Sequence, residues 1–142
     1  MRKILVAYDG SDLSKKALNK AKAQIKFEPD TELHVVTIVP NTGPTTNAAI
    51  AHSIQMELAE DFKEELKAIR ENSEDSMNIR TSVIIDNYHW NAGMKLCQYA
   101  EEHNIDEIIV GSRGLGGMKK FFLGSVSNHI LHHADCEILI VK

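Results

Sequence analysis

The chain has 142 residues, 43% apolar and 25% charged, with a formal net charge of −4. That length suits one domain with a single core, and no apolar run approaches the ~18 residues that would indicate a membrane span. The acidic balance argues against nonspecific nucleic-acid binding, which needs a basic surface to displace counterions, and the default location is cytoplasmic. Cys97 and Cys136 are the only cysteines and form no Cys-x-x-Cys pair, so two buried, reduced thiols are expected rather than a disulfide framework or a thiolate zinc cage.

Residues 2 to 8 form an apolar run that reads as a first strand, ended by the turn Asp9-Gly10-Ser11. From 12 to 26, Leu13, Ala17, Leu18, Ala21 and Ile25 recur at helical spacing; Ser11 reads as the cap and Ser14 as an exposed helix residue. Leu33 to Val39 is a β-branched second strand, stopped by Pro40 and Pro44. Between Ile50 and Asn72, an apolar stripe runs through Ile54, Leu58, Phe62, Leu66 and Ile69, with Glu60, Lys63, Glu64, Lys67 and Glu71 on the solvated face. Ile79 to Ile85 gives a third strand, Ala92 to Glu102 a helix through Leu96, Tyr99 and Ala100, and Ile105 to Val110 a fourth strand. Ser125 to His133 is a last helix and Glu137 to Val141 a last strand. Repeated β–α alternation predicts a parallel sheet covered on both faces.

The chemistry concentrates in Gly111-Ser112-Arg113-Gly114, followed after nine residues by Gly124-Ser125-Val126-Ser127. These glycines leave the end of an apolar strand and the second group opens a helix, a setting in which close backbone approach and free N–H groups favour an anion. Gly114, Gly116 and Gly117 could also simply turn the chain. A P-loop is ruled out because Gly124 is followed by Ser125 rather than lysine, and no Gly-x-Gly-x-x-Gly fingerprint begins at Gly111.

Together with the opening Ile4-Leu5-Val6-Ala7-Tyr8-Asp9-Gly10-Ser11 and the closing Cys136-Glu137-Ile138-Leu139-Ile140-Val141, this signature resembles the ATP-binding branch of the universal stress protein family across almost the whole chain. The resemblance implies a single three-layer α/β domain, adenine-nucleotide alpha-hydrolase-like, with five parallel strands in the order 3-2-1-4-5. Asp9 would then bond the ribose from the end of strand one, facing Gly111 across the crevice. Ile38, with Ala7 and Tyr8 nearby, would meet the adenine. Val110, Gly111, Arg113 and Gly114 would line the ribose and phosphate path, while Gly124, Ser125, Val126 and Ser127 would meet phosphates at the helix start. ATP, with AMP or ADP as variants, is the implied ligand, and Mg²⁺ would be held mainly through the phosphates. In similar proteins the last strands pair antiparallel, which implies a homodimer through Glu137 to Val141. Lys119 and Lys120 are further phosphate neighbours.

Where related sequences carry Gly-x-Pro after strand three, this chain reads Asp86-Asn87-Tyr88-His89-Trp90-Asn91-Ala92-Gly93, and packing is the expected role of Tyr88 and Trp90. Met118, Phe121, Phe122 and Leu123 form an apolar cluster before the last helix. His129 and His133 stand at i and i+4, a spacing that suits two metal ligands, although no third is evident and a structural or solvated role is the simpler reading. A nucleotide-dependent regulatory module with slow or no hydrolysis is the favoured function. The alternatives are an ATP-hydrolysing or adenylyl-transferring enzyme, for which a full set of catalytic groups is not found, and a nucleotide-free dimeric module.

Overall fold

A computed structural model describes residues 1–87, 91–114 and 123–142. The order is β1 (Arg2–Ala7), α1 (Asp12–Phe27), β2 (Thr31–Pro40), α2 (Ala48–Glu71), β3 (Asn78–Asp86), α3 (Ala92–Glu102), β4 (Glu107–Gly111), α4 (Ser125–His133) and β5 (Glu137–Val141). All strand pairs are parallel and the sheet order is β3-β2-β1-β4-β5. The crossovers therefore proceed outward in opposite directions from β1 and β4, and the crevice between their C-terminal ends is the switch point where ligands of such sheets collect. No helix among the described residues is long and apolar enough to cross a membrane.

Strand periodicity divides the apolar residues between two cores. Ile4, Val6, Leu33, Val35 and Ile109 face Ala17, Leu18, Ala21 and Ile25 of α1 and Leu66 of α2. Leu5, Val36, Ile108 and Val110 face Leu96, Tyr99 and Ala100 of α3 and Ile130 of α4. Central strands buried on both faces are largely apolar, which is why β1 and β4 are readable as runs.

Three expectations are corrected. The apolar stripe expected for α2 holds toward its C-terminal end, where Leu66 is buried and Ile69 packs against the core, but not nearer its start: Ala51, Gln55 and Ala59 are buried there, whereas Ile54 is 41% exposed. Small side chains allow close approach on that face, and the Gln55 amide donates to the carbonyls of Val39 (3.2 Å) and Asp86 (2.9 Å), tying the ends of β2 and β3 to the helix. Ser14 is buried rather than exposed, because its hydroxyl donates to the Ser11 carbonyl (2.9 Å). Both cysteines are half-buried free thiols, and burial pushes both above the ordinary thiol range.

The second core holds a polar cluster. His34, Glu32 and Tyr99 are all buried. His34 Nε2 lies 2.5 Å from Glu32 Oε1 and its Nδ1 lies 2.7 Å from the Tyr99 hydroxyl. Glu32 also accepts from Asn78 (3.3 Å) and Arg80 (3.4 Å), and the His103 ring stacks on Tyr99 at 3.8 Å. One arrangement satisfies every group: neutral His34 donates from Nε2 to an ionised Glu32 and accepts the Tyr99 proton at Nδ1.

Candidate functional site

At the C-terminal ends of β1 and β4 the chain encloses a cavity of about 260 Å³. Its apolar wall comes from Ala7, Val36, Ile38, Val110, Ala92 and Leu96. Asp9, Arg113 and Gly114 line it with the start of α4, Gly124 to Ser127. Ala7, Tyr8, Asp9, Ile38, Val110, Gly111, Arg113, Gly114 and Gly124 to Ser127, all singled out from the sequence, thus border one crevice. Four lining residues were missed besides Val36: Ser11, Ser14, Ala92 and Leu96. Val36 was recoverable from strand periodicity, since it lies two residues before Ile38 and shares its face. Lys119, Lys120, the Tyr88–Trp90 segment and the apolar residues Met118, Phe121 and Phe122 fall outside the described residues.

The turn after β1 fixes the acidic side. Asp9 Oδ1 accepts from the Ser11 N–H (2.9 Å), and Ser11 in turn caps α1 by accepting from the Ser14 N–H (3.2 Å). Asp9 Oδ2 is left pointing across the crevice, 2.8 Å from where a Cβ on Gly114 would stand. Tyr8 lines the crevice and is also tied into the core. Its side chain belongs to the core under α1 and α2, where its hydroxyl donates to Glu65 (2.5 Å), and burial followed by that bond raises its pKa.

Gly111 has a role in the fold as well as in the site. A Cβ there would stand 2.9 Å from Leu13 Cβ, so the glycine lets the first turn of α1 come down on β4.

On the opposite side, α4 begins at Gly124 with no side-chain cap, leaving the N–H groups of its first turn for a ligand. The structure narrows the expected donor set. The Gly124 N–H is already donated to the Ser112 carbonyl (2.7 Å), and the Ser127 hydroxyl is shared between the carbonyls of Ser112 (3.0 Å) and Gly124 (3.1 Å). These bonds fasten the start of α4 to the end of β4, so among the described residues the donors left at the helix start are the N–H groups of Ser125, Val126 and Ser127. The half-buried Arg113 supplies the positive side chain.

The sequence profile of the universal stress protein family matches residues 1–142. The chain belongs to the universal stress protein family. Universal stress protein YxiE of Bacillus subtilis is 32% identical over 149 positions, covering 99% of this chain and 98% of that protein. Among solved universal stress proteins, UspA from Lactobacillus plantarum has the same fold with a TM-score of 0.87 at 20% identity, covering 99% of this chain and 97% of that one. The Archaeoglobus fulgidus universal stress protein in complex with dAMP reaches a TM-score of 0.67 at 19% identity, covering 100% of this chain and 98% of that one.

Proposed function

We propose that this universal stress protein binds ATP in the crevice between β1 and β4 and acts as a nucleotide-dependent regulatory module. The observation that carries the reading is the opposition of two unlike ends: an uncapped helix start suited to phosphates and, across an apolar wall suited to a purine, a carboxylate suited to ribose hydroxyls. The dAMP complex of the Archaeoglobus fulgidus protein supports it. Asp9 is the one carboxylate lining the cavity among the described residues, so Mg²⁺ fits as an ion carried by the phosphates and completed by water. One carboxylate and one guanidinium suit holding a nucleotide better than activating water for hydrolysis.

The test is mass spectrometry of nucleotide released from freshly purified protein, beside calorimetric titration of Mg·ATP into the wild type and Gly114→Val. Among the described residues a Cβ at this position meets only the far end of the Asp9 side chain, so the added bulk narrows the crevice without striking described main chain. Affinity should fall roughly tenfold or more, about 1.4 kcal/mol. Absence of both released nucleotide and binding heat in the wild type would sink the reading.

We also propose a homodimer through β5. This strand is one of the two edges of the sheet, and Ile138, Leu139 and Ile140 on it are only half buried. Leu139→Asp should shift the mass in light scattering from dimer to monomer with unchanged circular dichroism; a wild-type monomer, or a dimer that survives the substitution, rejects the interface.

A further inference from the structure

The outer side of α4 carries a second recess, open to solvent and about 310 Å³ in volume, lined by Asn91, Ser125, Asn128, His129, His132 and His133. Within it the rings of His129 and His133, one helical turn apart, lie with centroids 4.2 Å apart and planes inclined by 32°. Two imidazolium ions at that separation would repel each other strongly. Among the described residues neither ring has a hydrogen-bond partner, and the nucleotide crevice does not use them. The neighbouring His132 ring is fixed instead by an Nδ1–H bond to the Asn128 carbonyl (2.8 Å).

We propose that His129 and His133 chelate a divalent transition metal ion, one nitrogen from each ring, with water in the remaining positions. Imidazole pairs select zinc, copper or nickel, whereas Mg²⁺ and Ca²⁺ require oxygen donors, so this site is chemically separate from any ion that accompanies a phosphate ligand. No group of three or more histidine, cysteine or carboxylate ligands occurs among the described residues. The bound ion is therefore open and exchangeable, unlike the closed four-ligand zinc of a structural site.

The experiment uses the full chain without an affinity tag, stripped with EDTA and free of nucleotide, titrated with ZnCl₂ in a calorimeter. One Zn²⁺ per chain is expected, with affinity lowered roughly tenfold or more by either His129→Gln or His133→Gln and unchanged by the exposed His52→Gln. Because His129 packs close to Gly93, its variant could lose structure. A second measurement therefore uses the wild type: Zn²⁺ should slow diethyl pyrocarbonate modification of His129 and His133 relative to His52. Absence of saturable binding, binding indifferent to both glutamine variants, or protection confined to other histidines overturns the proposal.

Discussion

Replacing His34 with leucine should lower the unfolding free energy by about 3 kcal/mol, read as an earlier midpoint in urea. The leucine fills the space but removes the donor that faces Glu32 and the acceptor that faces Tyr99. A carboxylate and a phenol hydroxyl, both in buried residues, are then left with fewer partners. Arg80 and Asn78 still reach Glu32, which limits the loss. Adding Glu32→Leu should recover much of it, because an apolar pair needs no partners. A single variant with the wild-type midpoint would show that water already satisfies these groups.

The same cluster gives the fold an acid limit. Burial lowers the His34 pKa despite the opposing pull of Glu32. Burial would raise Glu32, but the hydrogen bonds and charges of His34 and Arg80 outweigh it and hold the carboxyl low. Both groups thus release their protons more readily in the folded chain, so the unfolded chain binds more protons in acid. The stability they contribute is complete above about pH 6.5, and it declines below that pH through His34 and below about pH 4.3 through Glu32. Thermal melts from pH 8 to 4 should show this decline, and His34→Leu should flatten its upper part; parallel curves for the two proteins would refute the assignment.

Gly93→Val should be nearly as damaging, for a steric reason. The first turn of α3 lies so close to α4 that a Cβ on Gly93 would stand 2.8 Å from His129 Cβ and 3.0 Å from the Val126 carbonyl oxygen. The latter is main chain, which cannot turn away, so the helices have to part. Overpacking of this kind costs about 1–3 kcal/mol, and a melting temperature several degrees lower is expected. Ala92 and Leu96 on the displaced helix also wall the crevice, so the affinity for the proposed nucleotide should fall with it. An unchanged melting temperature would mean that α3 moves away from α4 without cost.

The strands and the glycine signature were legible in the sequence for one physical reason: each has a chemical requirement met by consecutive or regularly spaced residues. Strands covered on both faces are largely apolar, and a helix start open to an anion must lack obstruction. The face of α2 was not legible, because Ala51 and Ala59 weigh little in an apolar pattern and Gln55 counts as polar, although it satisfies two carbonyls at the ends of strands. Nor was the buried role of Glu32 and His34, which becomes visible only when β2 is placed beside β3 and under α3. At the crevice, spacing pointed to residues that line one cavity but not to which donors are already used, since the bonds from Gly124 and Ser127 to Ser112 join distant parts of the chain.

Those bonds have a use in protein engineering. Because Ser112 and Gly124 are held together by the domain itself, chain can be added between Gly114 and Leu123 with its ends already fixed, and each doubling of such a connection costs only about 0.6 kcal/mol. A reporter domain whose own termini lie close together could be spliced between them without prying the sheet apart, and it would sit at the rim of the crevice. The protein is thus a ready chassis for a genetically encoded sensor of whatever occupies that crevice.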